Sequence, residues 1–439
     1  VPTDERSAAA VPFPRQRRSK QGLLSSLSTT FSFHAMGEDK EESPKKKLRQ
    51  DDPPASAASL FTDDLILEIL SRLPARSVHR FKCVSRHWRD LIADPVNRKK
   101  LPQTLAGFLY NGYKSGAAWS RHFASVSGRG FPVDPSLPFI PNKYKHIVLE
   151  DTCNGLLLCA CYKTPATIKD EYRYVVCNPA TGRWIELPPP PQPLANRFHS
   201  TTRLAFDPAV SSHFHVLQFW QTSLVMEIYA RGVDIFSSQT GAWIHRDGGL
   251  LEKITLFRST RSVFFAGMLH LVGRLNPVNT DKESALVVLV LVDMEGKAWK
   301  TIRLPLGSSF ETVGLSQGCL YYAGSTNTYF YNNNSKKNRV LSTTKITLWC
   351  LENYDSGEWV LKHSASIDEP LDRTWVDCTV FAIHPDCDTV FLVPTRGEML
   401  ACDMQHQKFV HILNLEKDNV LIYLPYIPLF SEALADADE

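Results

Sequence analysis

Between residues 177 and 415 the chain writes one pattern five times: a strand-like run, a polar turn usually closed by glycine, and an aromatic residue that opens a second strand. The copies are "CNPATGRWIELP" from 177, "FSSQTGAWIHRD" from 236, "VDMEGKAWKTIRLP" from 292, "ENYDSGEWVLKHS" from 352 and "CDMQHQKFVHILNL" from 402. Their aromatics, Trp184, Trp243, Trp299, Trp359 and Phe409, are spaced by 59, 56, 60 and 50 residues. Upstream of each lies a further hairpin: "DTCNGLLLCACY", "FDPAVSSHFHVLQFW", "FFAGMLHLVG", "LSQGCLYYAG" and "IHPDCDTVFLV". One period therefore holds four strands. A twisted sheet of that size buries both its faces only when copies stack around an axis, so the period predicts the blades of a β-propeller, five of them between residues 145 and 416.

The ends of the same region supply a sixth. "TLAGFLYNGY" and "SRHFASVS" at 104–127 read as strands before the first full blade, and "NVLIYLPYIPLF" at 419–430 follows the last. A blade that joins strands from both termini pins the ends together and leaves no open edge. Six blades of four-stranded antiparallel sheet are expected over residues 104–430, with seven as the alternative count. Leu421, Tyr423, Leu424, Tyr426 and Ile427 are expected to be buried in the closing clasp.

Before the propeller, residues 60–92 read "LFTDDLILEILSRLPARSVHRFKCVSRHWRDLI". Thr62 can cap a helix, and Asp63 and Asp64 place negative charge at the positive end of its dipole. Leu65, Ile66, Ile69, Leu70 and Leu73 recur at three- and four-residue intervals along one broad face until Pro74 stops the helix. A second short helix turns Val78 and Phe81 inward, and a third carries Val84, Trp88, Leu91 and Ile92 before Asp94-Pro95 ends it. A three-helix unit of about forty residues cannot bury all of this apolar surface on its own. Either the rest of the chain or another protein covers the remainder.

The motifs here, DDLxxEILxRLP, RFKCVSRxW and a closing LIADP in order, resemble the F-box, the module through which a substrate receptor docks on the Skp adaptor of a cullin ubiquitin ligase. The resemblance covers residues 60–99. It departs at Thr62, where many members of the family carry proline. It implies that a Skp-family adaptor, and through it cullin and RING subunits, covers the exposed face, with Leu65, Ile69, Leu73, Pro74, Val78, Val84 and Trp88 as the interface and its immediate support. Phe81 and Leu91 read better as core within the module. Residues 104–430, through their GxLxxC and NPxTGxWxxLP patterns, resemble the F-box-associated and kelch-like propellers that follow an F-box in many plant proteins. Together the resemblances imply a non-catalytic substrate-recognition subunit whose propeller holds a target protein for ubiquitination and proteasomal degradation. A kelch-type propeller enzyme and a scaffold independent of ubiquitin ligase are the other readings.

The remaining signals bound these readings. Of 439 residues, 43% are hydrophobic and 22% charged, with a formal net charge of +3, too small to imply nucleic-acid binding from bulk electrostatics. The longest apolar run, ALVVLVLV at 285–292, has the length of a strand, so no membrane span is expected. Ten cysteines are scattered without a CxxC pair, which suits reduced thiols in nucleus or cytoplasm. Cys159 and Cys161 share one face of an expected strand, a weak hint of a metal or redox pair; no metal or cofactor is expected. Residues 1–59, rich in Ser, Ala, Pro and charge, read as a disordered leader. Translation from Met36 is expected rather than a transit peptide over 1–35. "SPKKKLR" at 43–49 fits a nuclear import signal or a solvated charge run, and 431–439 is an acidic tail.

For chemistry, "GLSQG" at 314–318 matches a nucleophile elbow, but the "CLYYAG" that follows reads as a strand where that motif needs a helix, so Ser316 is expected to be a turn residue. The histidines of "HFH" at 213–215 merely alternate. A binding surface is the better reading. The segments expected just before three innermost strands carry arginine and often an aromatic: Arg197 and Phe198, Arg258 and Arg261, Arg373 and Trp375. Repeat-equivalent positions would converge at one end of the central channel and could grip carboxylates or phosphates of a target; solvated loop charge is the alternative.

Overall fold

The computed structural model describes residues 62–429 apart from two groups of segments. One lies in the helical module and its link to the propeller (74–76, 79–80, 82–83, 95–96, 98–100, 102–104); the other is in loops (114–119, 127–132, 164–171, 192–199, 225–226, 249–252, 259, 277–285, 306–310, 333–338, 368–377, 395–397, 415–418). The expected leader with its basic run, and the acidic tail, lie outside the described residues.

Two helices open the described chain, α1 Asp63–Ser71 and α2 Arg86–Ala93. Of the helix expected between them, Ser77, Val78 and Phe81 are described and are helical. No described helix is long and apolar enough to cross a membrane.

The rest is strand. The chain forms β1 Gly107–Tyr113 and β2 Ser120–Ser125, then blade 1 from β3 His146–Cys153, β4 Leu156–Tyr162, β5 Tyr172–Asn178 and β6 Arg183–Glu186. Blade 2 is β7 Ser200–Ala205, β8 His215–Leu224, β9 Glu227–Ser237 and β10 Ala242–Asp247. Blade 3 is β11 Lys253–Leu256, β12 Val263–Phe265, β13 Met268–Asn276, β14 Leu286–Asp293 and β15 Trp299–Arg303. Blade 4 is β16 Glu311–Ser316, β17 Cys319–Asn332, β18 Arg339–Asn353 and β19 Glu358–Ile367; blade 5 is β20 Cys378–Ile383, β21 Thr389–Pro394, β22 Glu398–Asp403 and β23 Lys408–Asn414. The final strand, β24 Asn419–Tyr426, pairs antiparallel with β1, giving a sixth blade of order β2-β1-β24 among the described residues.

The innermost strands close a ring: β3 lies against β7, β7 against β12, β12 against β16, β16 against β20, β20 against β24 and β24 against β3. The core follows from that ring. Six apolar clusters fill the six gaps between neighbouring blades, for example Leu158, Val176, Phe206 and Val216 between blades 1 and 2, and Leu109, Leu149, Leu424 and Tyr426 between blades 6 and 1. Both faces of the central strands are thus buried, which is why β4 and β14 read as unbroken apolar runs instead of alternating ones.

The repeated turn has a shared conformation. Gly182, Gly241, Gly296 and Gly357 have φ between 66° and 74°, the left-handed region where a side chain is disfavoured, and in the fifth copy Gln407 occupies the place with φ 51°. The aromatic after the turn begins or nearly begins the outermost strand, and two of the indoles stitch blades together. Trp243 Nε1 donates to the Pro188 carbonyl at 2.8 Å, and Trp359 Nε1 to that of Arg303 at 3.0 Å.

Blade 3 departs from the repeat in a way that matters for the channel. Its innermost strand is broken: β11 pairs with one end of β13 and β12 with the other, and neither ladder includes the residues between Leu256 and Val263. In blade 1, β3 carries a bulge at Glu150. The backbone of Leu149 beside it is paired by Asn111 of β1, whose Nδ2 donates to the carbonyl at 3.0 Å and whose Oδ1 accepts from the amide at 3.2 Å.

Candidate functional site

Two regions bear on function. In the helical module, Thr62 Oγ1 accepts from the Leu65 amide at 3.4 Å, so the residue that departs from the F-box pattern caps α1. Ser85 Oγ caps α2 by accepting from the Trp88 amide at 3.1 Å. His87 Nε2 lies 2.7 Å from Asp63 Oδ1 and ties the two helices. The core of the module comprises Ile66, Leu67, Leu70, Val78, Leu91, Ile92 and Leu101, with Leu73, Phe81 and Trp88 half-buried against it. Phe81 and Trp88 stack at 5.3 Å between ring centroids.

The broad apolar face expected for α1 is in fact divided. Ile66 and Leu70 turn inward with Leu67, while Leu65 and Ile69, one turn apart, stay 44% and 43% exposed; Val84, ahead of α2, is 59% exposed. The expected interface therefore separates into outward side chains (Leu65, Ile69, Val84) and supporting ones (Leu73, Trp88). Val78 is 5% exposed and belongs to the core of the module, not to its outward face. Pro74 lies outside the described residues. Leu91 lies in the core, and Phe81 is half-buried against it.

The second region is the central channel. Asp151 on β3 is 1% exposed, and its Oδ2 accepts from the Leu204 amide at 2.9 Å and the Ser262 hydroxyl at 3.0 Å. Arg203 on β7 is 2% exposed and donates through Nη1 to the Thr202 carbonyl and through Nη2 to the carbonyls of Arg258 and Thr260 at 2.9 and 2.8 Å. The segment between β11 and β12 is thus held against blades 1 and 2. Burial pushes the Asp151 and Glu150 carboxyls up, countered by Arg203 for Asp151 and by Arg258 and Arg203 for Glu150. Burial also lowers the Arg261 guanidinium to about 10, opposed by Asp151.

Arg258 and Arg261 lie just ahead of β12, the part of blade 3's innermost strand that meets β7 and β16, in the segment that separates it from β11. Arg258 is exposed, whereas Arg261 lines a cavity where the innermost strands end. Arg197, Phe198, Arg373 and Trp375, the residues expected to be equivalent to them, lie outside the described residues. Sequence reasoning passed over Asp151 and Arg203. Their signal was a charge of each sign set within the apolar innermost strands "HIVLEDTC" and "STTRLA".

The motifs of enzymes resolve as structure. Ser316 ends β16, is 1% exposed and is followed by Gln317 and Gly318, both at positive φ, in a tight hairpin turn that leads into β17. Cys159 and Cys161 are fully buried between blades 6 and 1, and burial raises both thiols.

Comparison with known proteins agrees with this architecture. The F-box domain model matches residues 59–100, and the model of the F-box protein At3g26010-like beta-propeller matches 135–423. The chain is 26% identical over 339 residues to F-box protein At5g07610 of Arabidopsis thaliana, covering 72% of this chain and 73% of that protein. It is 24% identical over 323 residues to F-box protein At5g49610 of the same plant, covering 70% and 80%. The six-blade ring extends the matched segment at both ends, since β1, β2 and the end of β24 complete it. With an F-box ahead of a propeller matched over more than half its length, the chain belongs to the F-box proteins with an At3g26010-like beta-propeller.

Proposed function

We propose that the protein is the substrate-recognition subunit of a Skp-cullin-F-box ubiquitin ligase, with the helical module docking on a Skp-family adaptor and the propeller holding the target protein. Membership of the F-box proteins supports a substrate-adaptor role in general. The observation that carries the finer reading is the exposure of Leu65, Ile69 and Val84 beside a module core that is already complete without them. Fully covering a side chain of this size is worth about 1.5–3 kcal/mol, so covering all three on docking would contribute useful strength. Cullin and RING subunits join through the adaptor, and the protein itself performs no chemistry. The setting is nucleus or cytoplasm.

The test is copurification of the full chain with a Skp-family adaptor and identification of whatever else the complex holds. Recovery of adaptor and cullin supports the reading. A chain that captures a target but no adaptor is a scaffold independent of the ligase.

A further inference from the structure

We propose that the channel mouth at which the innermost strands end is a binding site for a carboxylate carried on an apolar body, anchored by Arg261. A cavity of about 470 Å³ opens there, within the range of about 300–1,000 Å³ usual for small-ligand sites. Phe264, Phe265, Leu315, Ile383 and Ile427 give it apolar walls, and Arg261 is the cation on its lining.

That guanidinium is unspent. Arg261 Nε is buried with no hydrogen-bond partner, and no hydrogen bond or ion pair joins the Arg261 side chain to any described residue. A buried guanidinium nitrogen left without a bond is costly, and native structures seldom leave one without purpose. Asp151 attracts it through space but does not bond it: Oδ2 is committed to Leu204 and Ser262, and Oδ1 has no partner. Asp151 also faces Arg203, while Glu150 faces Arg203 and Arg258. Asp151 is thus shared between Arg203 and Arg261.

The other acids on the cavity wall, Asp207 and Asp386, do not bond Arg261 either. Asp207 spends Oδ1 on the Ala209 amide of its own loop at 2.9 Å, and burial pushes the Asp386 carboxyl up towards its neutral form. Their presence selects the ligand. A single planar carboxylate matches the guanidinium fork, whereas a phosphate dianion would bring a second negative charge beside Asp207. Leu101, which packs in the core of the helical module, and Leu105, which packs between blades 5 and 6, line the same cavity, so an occupant touches both parts of the chain.

The carboxylate belongs either to a free organic acid or to a side chain of a bound polypeptide, and the experiment separates these. The melting midpoint of the full chain is followed against phenylacetate, its neutral isostere phenylacetamide, phenyl phosphate, and the dipeptide acetyl-phenylalanyl-glutamate amide. The expected result is a concentration-dependent rise with phenylacetate or with the dipeptide, little or none with phenylacetamide and less with phenyl phosphate. Arg261→Gln should weaken carboxylate binding at least tenfold. A response to the dipeptide alone assigns the carboxylate to a target protein, and a response to phenylacetate assigns it to a free acid. No response to either carboxylate, or an equal response to the amide, overturns the proposal. If Arg261→Gln fails to fold, the comparison of acid with amide on the unaltered chain decides. Adaptor recovery is independent of all these outcomes.

Discussion

Asn178 of blade 1 donates through Nδ2 to the carbonyl of Leu429 at 2.8 Å, joining two residues 251 positions apart. Beyond β24 the chain crosses the first blade, and Leu429 fills the apolar gap between blades 1 and 2. Thr152 Oγ1 adds a bond to the Pro425 carbonyl at 2.9 Å. The ring is therefore closed twice, by β24 pairing with β1 and by the tail laid over blade 1. Truncation after Asn419 should expose the edge of β1 and the apolar surface that Leu424, Tyr426 and Leu429 cover. Aggregation and rapid proteolysis of the propeller are expected, with adaptor binding through residues 60–99 retained; a monomeric, protease-resistant product would refute the clasp.

A single atom tests the same contact. Gly155, at φ +89°, lies so close to the tail that a Cβ there would collide with the Leu429 side chain and approach its amide nitrogen at 2.7 Å. Gly155→Ala combines left-handed strain of about 1–2 kcal/mol with overpacking of about 1–3 kcal/mol. Its midpoint should fall by several degrees, whereas Gly267→Ala, with nothing within 4 Å of its Cβ, should lose only the strain. Equal losses in the two variants would show that the tail yields freely.

On the helical module, two pairs of substitutions one position apart should give opposite phenotypes. Leu65→Asp with Ile69→Asp changes exposed side chains and should abolish adaptor recovery while leaving melting unchanged. Ile66→Ala with Leu70→Ala removes core at about 2–5 kcal/mol per site and should unfold the module, with the propeller intact by circular dichroism. Adaptor recovery at wild-type levels by the Leu65/Ile69 variant would mean that the docking face is elsewhere.

The propeller was legible because its signal is repeated: each copy of the turn and aromatic corroborates the others, and the burial of both sheet faces follows from the period. The composite blade was legible too, since an unclosed ring would leave strand edges bare. What escaped was local and non-repeating. The break in the innermost strand of blade 3, between β11 and β12, was one such feature, and only the pairing of both with one partner reveals it. Nor could helical spacing alone divide Leu65 and Ile69 from Ile66 and Leu70, because all four fit one broad stripe until the second helix and α2 choose a side.

His270 sets a pH dependence. It is buried, its Nδ1 lies 3.1 Å from the Val263 carbonyl and its Nε2 meets the Tyr354 hydroxyl. The carbonyl needs a donor, so Nδ1 carries the proton and Nε2 accepts from tyrosine, which is the neutral ring. Burial lowers its pKa from 6.5 to about 4. Between those values the unfolded chain binds a proton that the native state refuses. The stability this group contributes is therefore whole above about pH 6.5 and is lost as pH falls towards 4, by about 3 kcal/mol at most. Urea unfolding of wild type and His270→Gln at pH 7 and pH 5 should show the gap between them narrowing at the lower pH, and a constant gap would exclude the titration.

The fifth copy of the repeated turn offers a gain. Gln407 adopts φ 51° where its four counterparts are glycine, and its amide reaches the Ser364 carbonyl at only 3.4 Å. Left-handed backbone costs a residue with a Cβ about 1–2 kcal/mol, against which Gly brings greater unfolded-state freedom worth somewhat under 1 kcal/mol. Gln407→Gly should therefore raise the stability of the propeller by up to about 1 kcal/mol. The reverse change at the equivalent place in blade 4, Gly357→Gln, should lower it by more, because a Cβ there meets Ile302 Cγ2 at 3.0 Å as well as incurring the strain. Thermal unfolding of the two variants decides: were both to melt with the wild type, backbone strain would have no part in the conservation of conformation across the five turns.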